Sequence, residues 1–215
     1  MRSGKTWVFD LDNTLHDAMP HIFPHINRSM TDYLEQHLGL QRPDADSLRR
    51  RYWEKYGATL CGMMRHHETN PDHFLKHTHD FPALPEMVVH EPMLRKSLFS
   101  FRGRKYLFSN APLHYALSVL KILGIMDLFD GVFSIEHSRY RPKPDPYGFF
   151  RVFSRAGMKP SRLVMVEDDL ENLRMAKKLG MGTVWVTSSL QKPAHVDMSV
   201  SSIRELARRQ FSLNH

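Results

Sequence analysis

The feature that most constrains the fold is a series of short apolar runs, each stopping abruptly at polar or acidic residues. Thr6-Trp7-Val8-Phe9 ends at Asp10, Lys105-Tyr106-Leu107-Phe108 ends at Ser109-Asn110, and Gly131-Val132-Phe133-Ser134-Ile135 ends at Glu136. Leu163-Val164-Met165-Val166 meets Glu167-Asp168-Asp169, and Thr183-Val184-Trp185-Val186 meets Thr187. Runs this continuous describe strands covered on both faces, as in a parallel sheet; a strand with one wet face would alternate. Helical spacing fills the gaps. Apolar residues recur with a helical period from Pro112 to Leu123, Pro146 to Ala156 and Leu170 to Leu179, and Gly124, Gly157 and Gly180 stand as stops. Alternating strands and helices predict an α/β, doubly wound, Rossmann-like parallel sheet.

The stretch from Leu15 to Phe101 has another texture. It is rich in His, Met, Arg and aromatic residues, and its apolar residues recur at helical spacing, as in Ile22, Ile26, Met30, Tyr33, Leu34 and Leu38. So long an interval between two strands is too long for a loop. The expected organisation is a catalytic core over 1–15 and 98–215, with a helical cap domain over 16–97 inserted after the first strand.

Composition narrows the setting. A 215-residue chain with 41% hydrophobic residues can bury a real core, and its net charge of +7 suits anionic ligands. The basic residues are scattered in small clusters, such as Arg49-Arg50-Arg51, so nucleic acid is not the expected partner. Cys61 is the only cysteine, which excludes an intrachain disulfide. The first apolar run is too short for a secretory signal, and no segment approaches the roughly 18 apolar residues of a membrane helix. A soluble, cytoplasmic protein with no membrane partner is expected.

In an open α/β sheet, ligands bind beyond the carboxyl ends of the strands. The residues placed there are Asp10, Asp12, Ser109, Asn110, Glu167, Asp168 and Asp169, with Lys143 in the loop before a helix. Several carboxylates converging on one lysine are costly unless a cation offsets their repulsion. The histidine pairs His21/His25 and His73/His77 share helix faces, but neither brings an evident third ligand.

The motif Asp10-Leu11-Asp12-Asn13-Thr14-Leu15 after an apolar strand resembles the first motif of the haloacid dehalogenase superfamily. Phe108-Ser109-Asn110 resembles its second motif, Lys143-Pro144-Asp145-Pro146 its third, and Glu167-Asp168-Asp169 its fourth. Tyr56-Gly57-Ala58-Thr59-Leu60 with Gly62, and Leu123-Gly124-Ile125 through Leu128-Phe129-Asp130-Gly131, are similar to the pyrimidine 5′-nucleotidase branch.

The resemblance implies a Mg²⁺-dependent phosphomonoester hydrolase acting on a small molecule. Asp10 would be the nucleophile, forming an aspartyl-phosphate, and Asp12 the general acid and base. Lys143, Ser109 and Asn110 would bind the phosphoryl group. Mg²⁺ would be held by Asp10, the Asp12 backbone carbonyl and Asp168. Where many members carry a second aspartate in the fourth motif this chain has Asn172, which leaves open whether Glu167, Asp169 or Asn172 supports the metal. Tyr56, Leu60 and Met63 of the cap are the expected base-binding face for a pyrimidine nucleoside 5′-monophosphate. The alternatives are a phosphatase of another small metabolite, such as phosphoglycolate or a sugar phosphate, and a non-catalytic nucleic-acid-binding protein on the same fold.

Overall fold

The computed structural model describes residues 5–212, with the side chains of 210–212 excepted. Six parallel strands form one sheet: β1 (Thr6–Phe9), β2 (Lys105–Phe108), β3 (Gly131–Phe133), β4 (Leu163–Glu167), β5 (Gly182–Val186) and β6 (Met198–Val200). Their order is β3-β2-β1-β4-β5-β6. The chain winds outward from β1 through β2 to β3, then crosses to the other side of β1 for β4, β5 and β6. The reversal lies between β1 and β4, so their carboxyl ends open onto the crevice where ligands bind in such sheets.

Alternate strand residues supply the two faces. Trp7, Phe9, Leu107, Val164, Val166 and Val184 enter one apolar cluster. Val8, Tyr106, Phe108, Leu163 and Met165 enter the other. The helices α7 (Leu113–Ile122) and α10 (Ile203–Ser212) cover the first face, and α8 (Pro146–Ala156) and α9 (Leu170–Lys178) cover the second. This is the doubly wound architecture expected from the apolar runs. The strand β6 was not evident in the sequence, because only Val200 of its three residues is buried.

The long insertion is helical: α1 (Ile22–Leu38), α2 (Arg42–Tyr56), α3 (Thr59–His67), α4 (Pro71–Thr78), α5 (Leu84–Met87) and α6 (Leu94–Ser100). The first four share a small core of their own, containing Tyr33, Leu34, Leu48, Tyr52, Leu60, Met63, Phe74 and Leu75. Ile135, just past β3, joins that cluster from the sheet side. Leu94 and Leu98 of α6 instead pack with the sheet's core against α10, so packing carries α6 with the core. The outgoing and returning linkers are paired where the Asp17 N–H donates to the Val89 carbonyl at 2.7 Å.

Gly148 sets how closely α8 approaches the sheet. A Cβ there would stand 2.6 Å from the Phe108 ring and 2.6 Å from Ser138 Oγ. Phe108 is almost wholly buried and cannot yield. Gly148→Ala is therefore expected to destabilise the fold by about 1–3 kcal/mol, the usual cost of overpacking. Urea denaturation checks this, and an unchanged midpoint would show that α8 can shift freely.

Candidate active site

The centre of the crevice is a buried ammonium. Lys143 Nζ donates to Asp10 Oδ1 at 2.6 Å, to Glu167 Oε2 at 2.6 Å and to the Phe108 carbonyl at 2.9 Å. Those three acceptors lie at the ends of β1, β4 and β2. A lysine has three N–H donors, and all three are used. The loop that carries Lys143 is fixed as well. Asn110 Oδ1 accepts from the Lys143 N–H at 2.7 Å, and its Nδ2 donates to the Lys143 carbonyl at 3.3 Å.

Glu167 is saturated. Besides Lys143, its Oε2 accepts from Asn172 Nδ2 at 3.2 Å, and Oε1 accepts from the N–H groups of Asp168 at 3.2 Å and Asp169 at 3.3 Å. Asp169 caps α9 by accepting from the Glu171 and Asn172 N–H groups. That leaves Asp168 as the fourth-motif acid without a structural task, while Trp185 Nε1 donates to its carbonyl at 2.8 Å. Thus Glu167 anchors the lysine, Asn172 buttresses Glu167, and Asp169 starts the helix.

Three acids face one ammonium, and their protonation shows the excess charge. Burial, followed by the charge of Glu167, pushes Asp10 up to about 7 despite Lys143. Burial raises Glu167 to about 7, and burial together with Asp10 raises Asp168 to about 6. For Lys143, burial opposes the charge, but the contacts with Asp10 and Glu167 outweigh it and raise the pKa. Oxygen atoms of Asp10, Glu167 and Asp168 lie within 4.8 Å of one another, the one group of three such ligands among the described residues. An all-carboxylate set with surplus negative charge suits a hard divalent cation.

Asp12 stands apart from this cluster. Its Oδ1 accepts from the Tyr115 phenol at 2.6 Å and pairs with His16 Nε2 at 2.9 Å. Burial, with the charge of Asp12, raises the Tyr115 pKa and keeps the phenol protonated. Neither Tyr115 nor His16 was singled out from the sequence. The available signals were the four-residue spacing from Asp12 and a place in the first turn of the helix after the second motif.

The expected site residues fall into two groups. Asp10, Asp12, Ser109, Asn110, Lys143 and Asp168 all come to the strand ends, as placed from the sequence. Ser109 is buried, and its Oγ accepts from the Ala111 N–H at 3.0 Å. The side chain of Asn110 is spent on the Lys143 peptide, and its backbone N–H is the group expected on the phosphoryl oxygens. Leu60 and Met63, expected at a substrate face, lie in the cap interior, with Met63 wholly buried. Tyr56 packs at the edge of that cluster, with its hydroxyl on His66 Nε2 at 2.6 Å. The structure does bring His37 to within 5.3 Å of His73, ring to ring, but those nitrogens do not converge as a ligand set.

A cavity of about 480 Å³ is lined by Asp72, Leu75, Lys76, His79 and Asp80 of the cap and by His114 and Glu136 of the core. His79 borders it and lies 5.9 Å, ring to ring, from Tyr115, the residue holding Asp12.

The fold is a Rossmann-like α/β domain with an inserted helical cap and acids gathered at its strand ends, and the comparisons agree with it. The family model for haloacid dehalogenase-like hydrolase matches residues 5–180. The chain belongs to that family. It is 28% identical over 195 residues to phosphate metabolism protein 8 of Saccharomyces cerevisiae, covering 84% of this chain and 60% of the yeast protein's length. It is 24% identical over 186 residues to the phosphorylated carbohydrates phosphatase of Thermotoga maritima, covering 83% of this chain and 82% of that protein. The crystal structure of a HAD phosphatase from Thermococcus onnurineus superposes with a TM-score of 0.70 at 22% identity, over 96% of this chain and 97% of that one.

The acid cluster yields a stability prediction in chelator. Asp168 titrates from 3.8 in the unfolded chain to about 6 in the fold, so its ionised form costs stability above that pH. Asp168→Asn removes the cost. The variant should be more stable than the wild type at pH 8, with the advantage shrinking as the pH falls towards 5. Equal or lower stability at pH 8, read by thermal denaturation, would contradict the surplus-charge account.

Proposed function

We propose that this chain is a divalent-cation-dependent phosphatase of small phosphorylated metabolites in which Asp10 takes the phosphoryl group. The observation that carries this reading is the buried Asp10 carboxylate, whose Oδ1 is bound to Lys143 while no hydrogen bond between the described residues falls on its other oxygen. The other oxygen is left to attack. As the bond from Asp10 to phosphorus forms, the bond to the leaving oxygen breaks, and Asp12 gives that oxygen a proton. Asp12 then takes a proton from water, whose oxygen attacks phosphorus and restores Asp10 with release of phosphate. Lys143 holds the nucleophile throughout and balances charge at the strand ends. Asp10 and Asp168, with the Asp12 backbone carbonyl, would hold a cation such as Mg²⁺. When bound, it supplies the positive charge that lets a carboxylate approach a phosphate.

The leaving group must sit beside Asp12, and the cavity approaches that residue through His79, 5.9 Å ring to ring from the Tyr115 that holds Asp12. Its volume is within the range of ligand pockets, and Leu75 is the one apolar residue among its walls. Lys76, His79 and His114 in that lining offer hydrogen bonds to the hydroxyls or carboxylate of a small leaving group. The relative from Thermotoga, named for phosphorylated carbohydrates, supports the same class. The nucleoside monophosphate reading rested on the resemblance around residues 56–62 and 123–131, and of its expected base-binding face, Tyr56, Leu60 and Met63, the last two pack inside the cap.

Phosphate release from phosphoglycolate, hexose phosphates, UMP and CMP in Mg²⁺ tests the proposal. The hydroxylated or carboxylated substrates should exceed UMP and CMP in kcat/KM by about tenfold or more. Preference for UMP or CMP would return the nucleotidase reading. Asp10→Asn should lose turnover while keeping the wild-type melting profile, and excess EDTA should stop the wild type. Full turnover in EDTA after removal of metal would overturn the cation requirement.

A further inference from the structure

The carboxylate of Asp12 is tethered through one oxygen alone. Tyr115 donates to Oδ1 at 2.6 Å and His16 Nε2 lies 2.9 Å from the same atom. No hydrogen bond between the described residues falls on Oδ2. The side chain of His16 is fully buried, and its Nδ1 has no partner. An ionised carboxylate oxygen only accepts, so against ionised Asp12 it is Nε2 that carries a hydrogen. Oδ1 has two lone pairs in its plane, and two donors occupy them. A proton on Asp12 therefore belongs on Oδ2.

Both donors are locked. Asn13, at φ 60, takes the left-handed conformation that Asn tolerates, and its Oδ1 accepts from the Ala18 N–H at 3.1 Å. That turn brings His16 back beneath Asp12. Tyr115 is 1% exposed, and the segment returning from the cap walls it in, with His79 at 5.9 Å and Phe81 at 5.2 Å between ring centroids. Rotation of the Asp12 carboxylate would break both bonds at once. The Asp12 side chain retains 17% exposure between its two donors, and Oδ2 is the oxygen not held by them.

We propose that Tyr115 and His16 are positioning residues that confine the proton carried by Asp12 to Oδ2, facing the leaving group. This rests on the reading of Asp12 as the acid and base of the reaction. Without the two donors the carboxyl group rotates, and the proton spends part of its time on the oxygen turned away. A substrate whose alcohol leaves as a weak acid needs the proton most, whereas p-nitrophenol leaves almost unaided. The loss should therefore depend on the leaving group.

The test compares kcat/KM for p-nitrophenyl phosphate and an alkyl phosphate in Mg²⁺, using the wild type, Tyr115→Phe, His16→Leu, His16→Gln and Asp12→Asn. Circular dichroism melts establish that each variant is folded. Tyr115→Phe keeps the ring and its packing. It should lose about 10- to 100-fold on the alkyl phosphate and only a few-fold on the aryl one, part of the 10²–10⁴ that acid–base help supplies. His16→Leu should follow it, and His16→Gln, whose amide can reach Oδ1, should recover most of the loss. Equal losses on both substrates, or no loss, in folded Tyr115→Phe would overturn the positioning role while Asp12→Asn still discriminates between them. If Asp12→Asn treats both substrates as the wild type does, the acid–base reading itself fails.

Discussion

One buried ammonium organises this molecule. Lys143 reaches the carboxyl ends of β1, β2 and β4, the three central neighbours of the sheet, through Asp10, the Phe108 carbonyl and Glu167. Burying a lysine without partners would cost several kcal/mol, and burying Asp10 and Glu167 without it would cost more. Each group makes the others tolerable. Asn110 holds the lysine's peptide, Asn172 holds Glu167, and Asp169 starts the helix that brings Asn172 into place. The arrangement still leaves Asp10 and Asp168 short of positive charge, which is the condition for drawing a cation into the site.

The neighbouring carboxylate of Asp12 is governed by a different environment. Asp12 is two residues from Asp10, yet its partners are a phenol and an imidazole instead of an ammonium. Two neighbouring acids with separate surroundings can take separate tasks, one attacking and one moving a proton. The cap enters through Tyr115, since His79 and Phe81 press on that ring from the returning linker. The cap thus borders both the cavity and the side chain that fixes Asp12.

Much of this was legible in the sequence, for reasons particular to each element. The strands β1, β2 and β4 are buried on both faces, so their apolar runs are unbroken and the polar or acidic residues that end them mark the crevice. Helices α7, α8 and α9 carry long apolar stripes with a glycine just beyond. Strand β6 is an edge strand pairing only with β5, and three residues with one buried side chain leave no pattern. Periodicity showed that Leu60 and Met63 face something apolar, but it does not separate a ligand face from a cap interior. The partner of an amide is equally hidden: nothing in Phe108-Ser109-Asn110 says that Asn110 clasps a peptide 33 residues on. Tyr115 escaped notice because its role depends on α7 meeting the loop after β1, a contact 103 residues apart in the chain, and His16 because its role depends on the turn at Asn13.

The central claim is that Asp10 becomes covalently phosphorylated. Rapid acid quench during turnover of a good phosphomonoester, followed by borohydride reduction and peptide mass spectrometry, addresses it directly. An acyl phosphate on aspartate is reduced to homoserine, so the account predicts homoserine at position 10, with positions 12 and 168 unchanged. Rapid turnover with no reduced residue at position 10, or homoserine at position 12 instead, would contradict it.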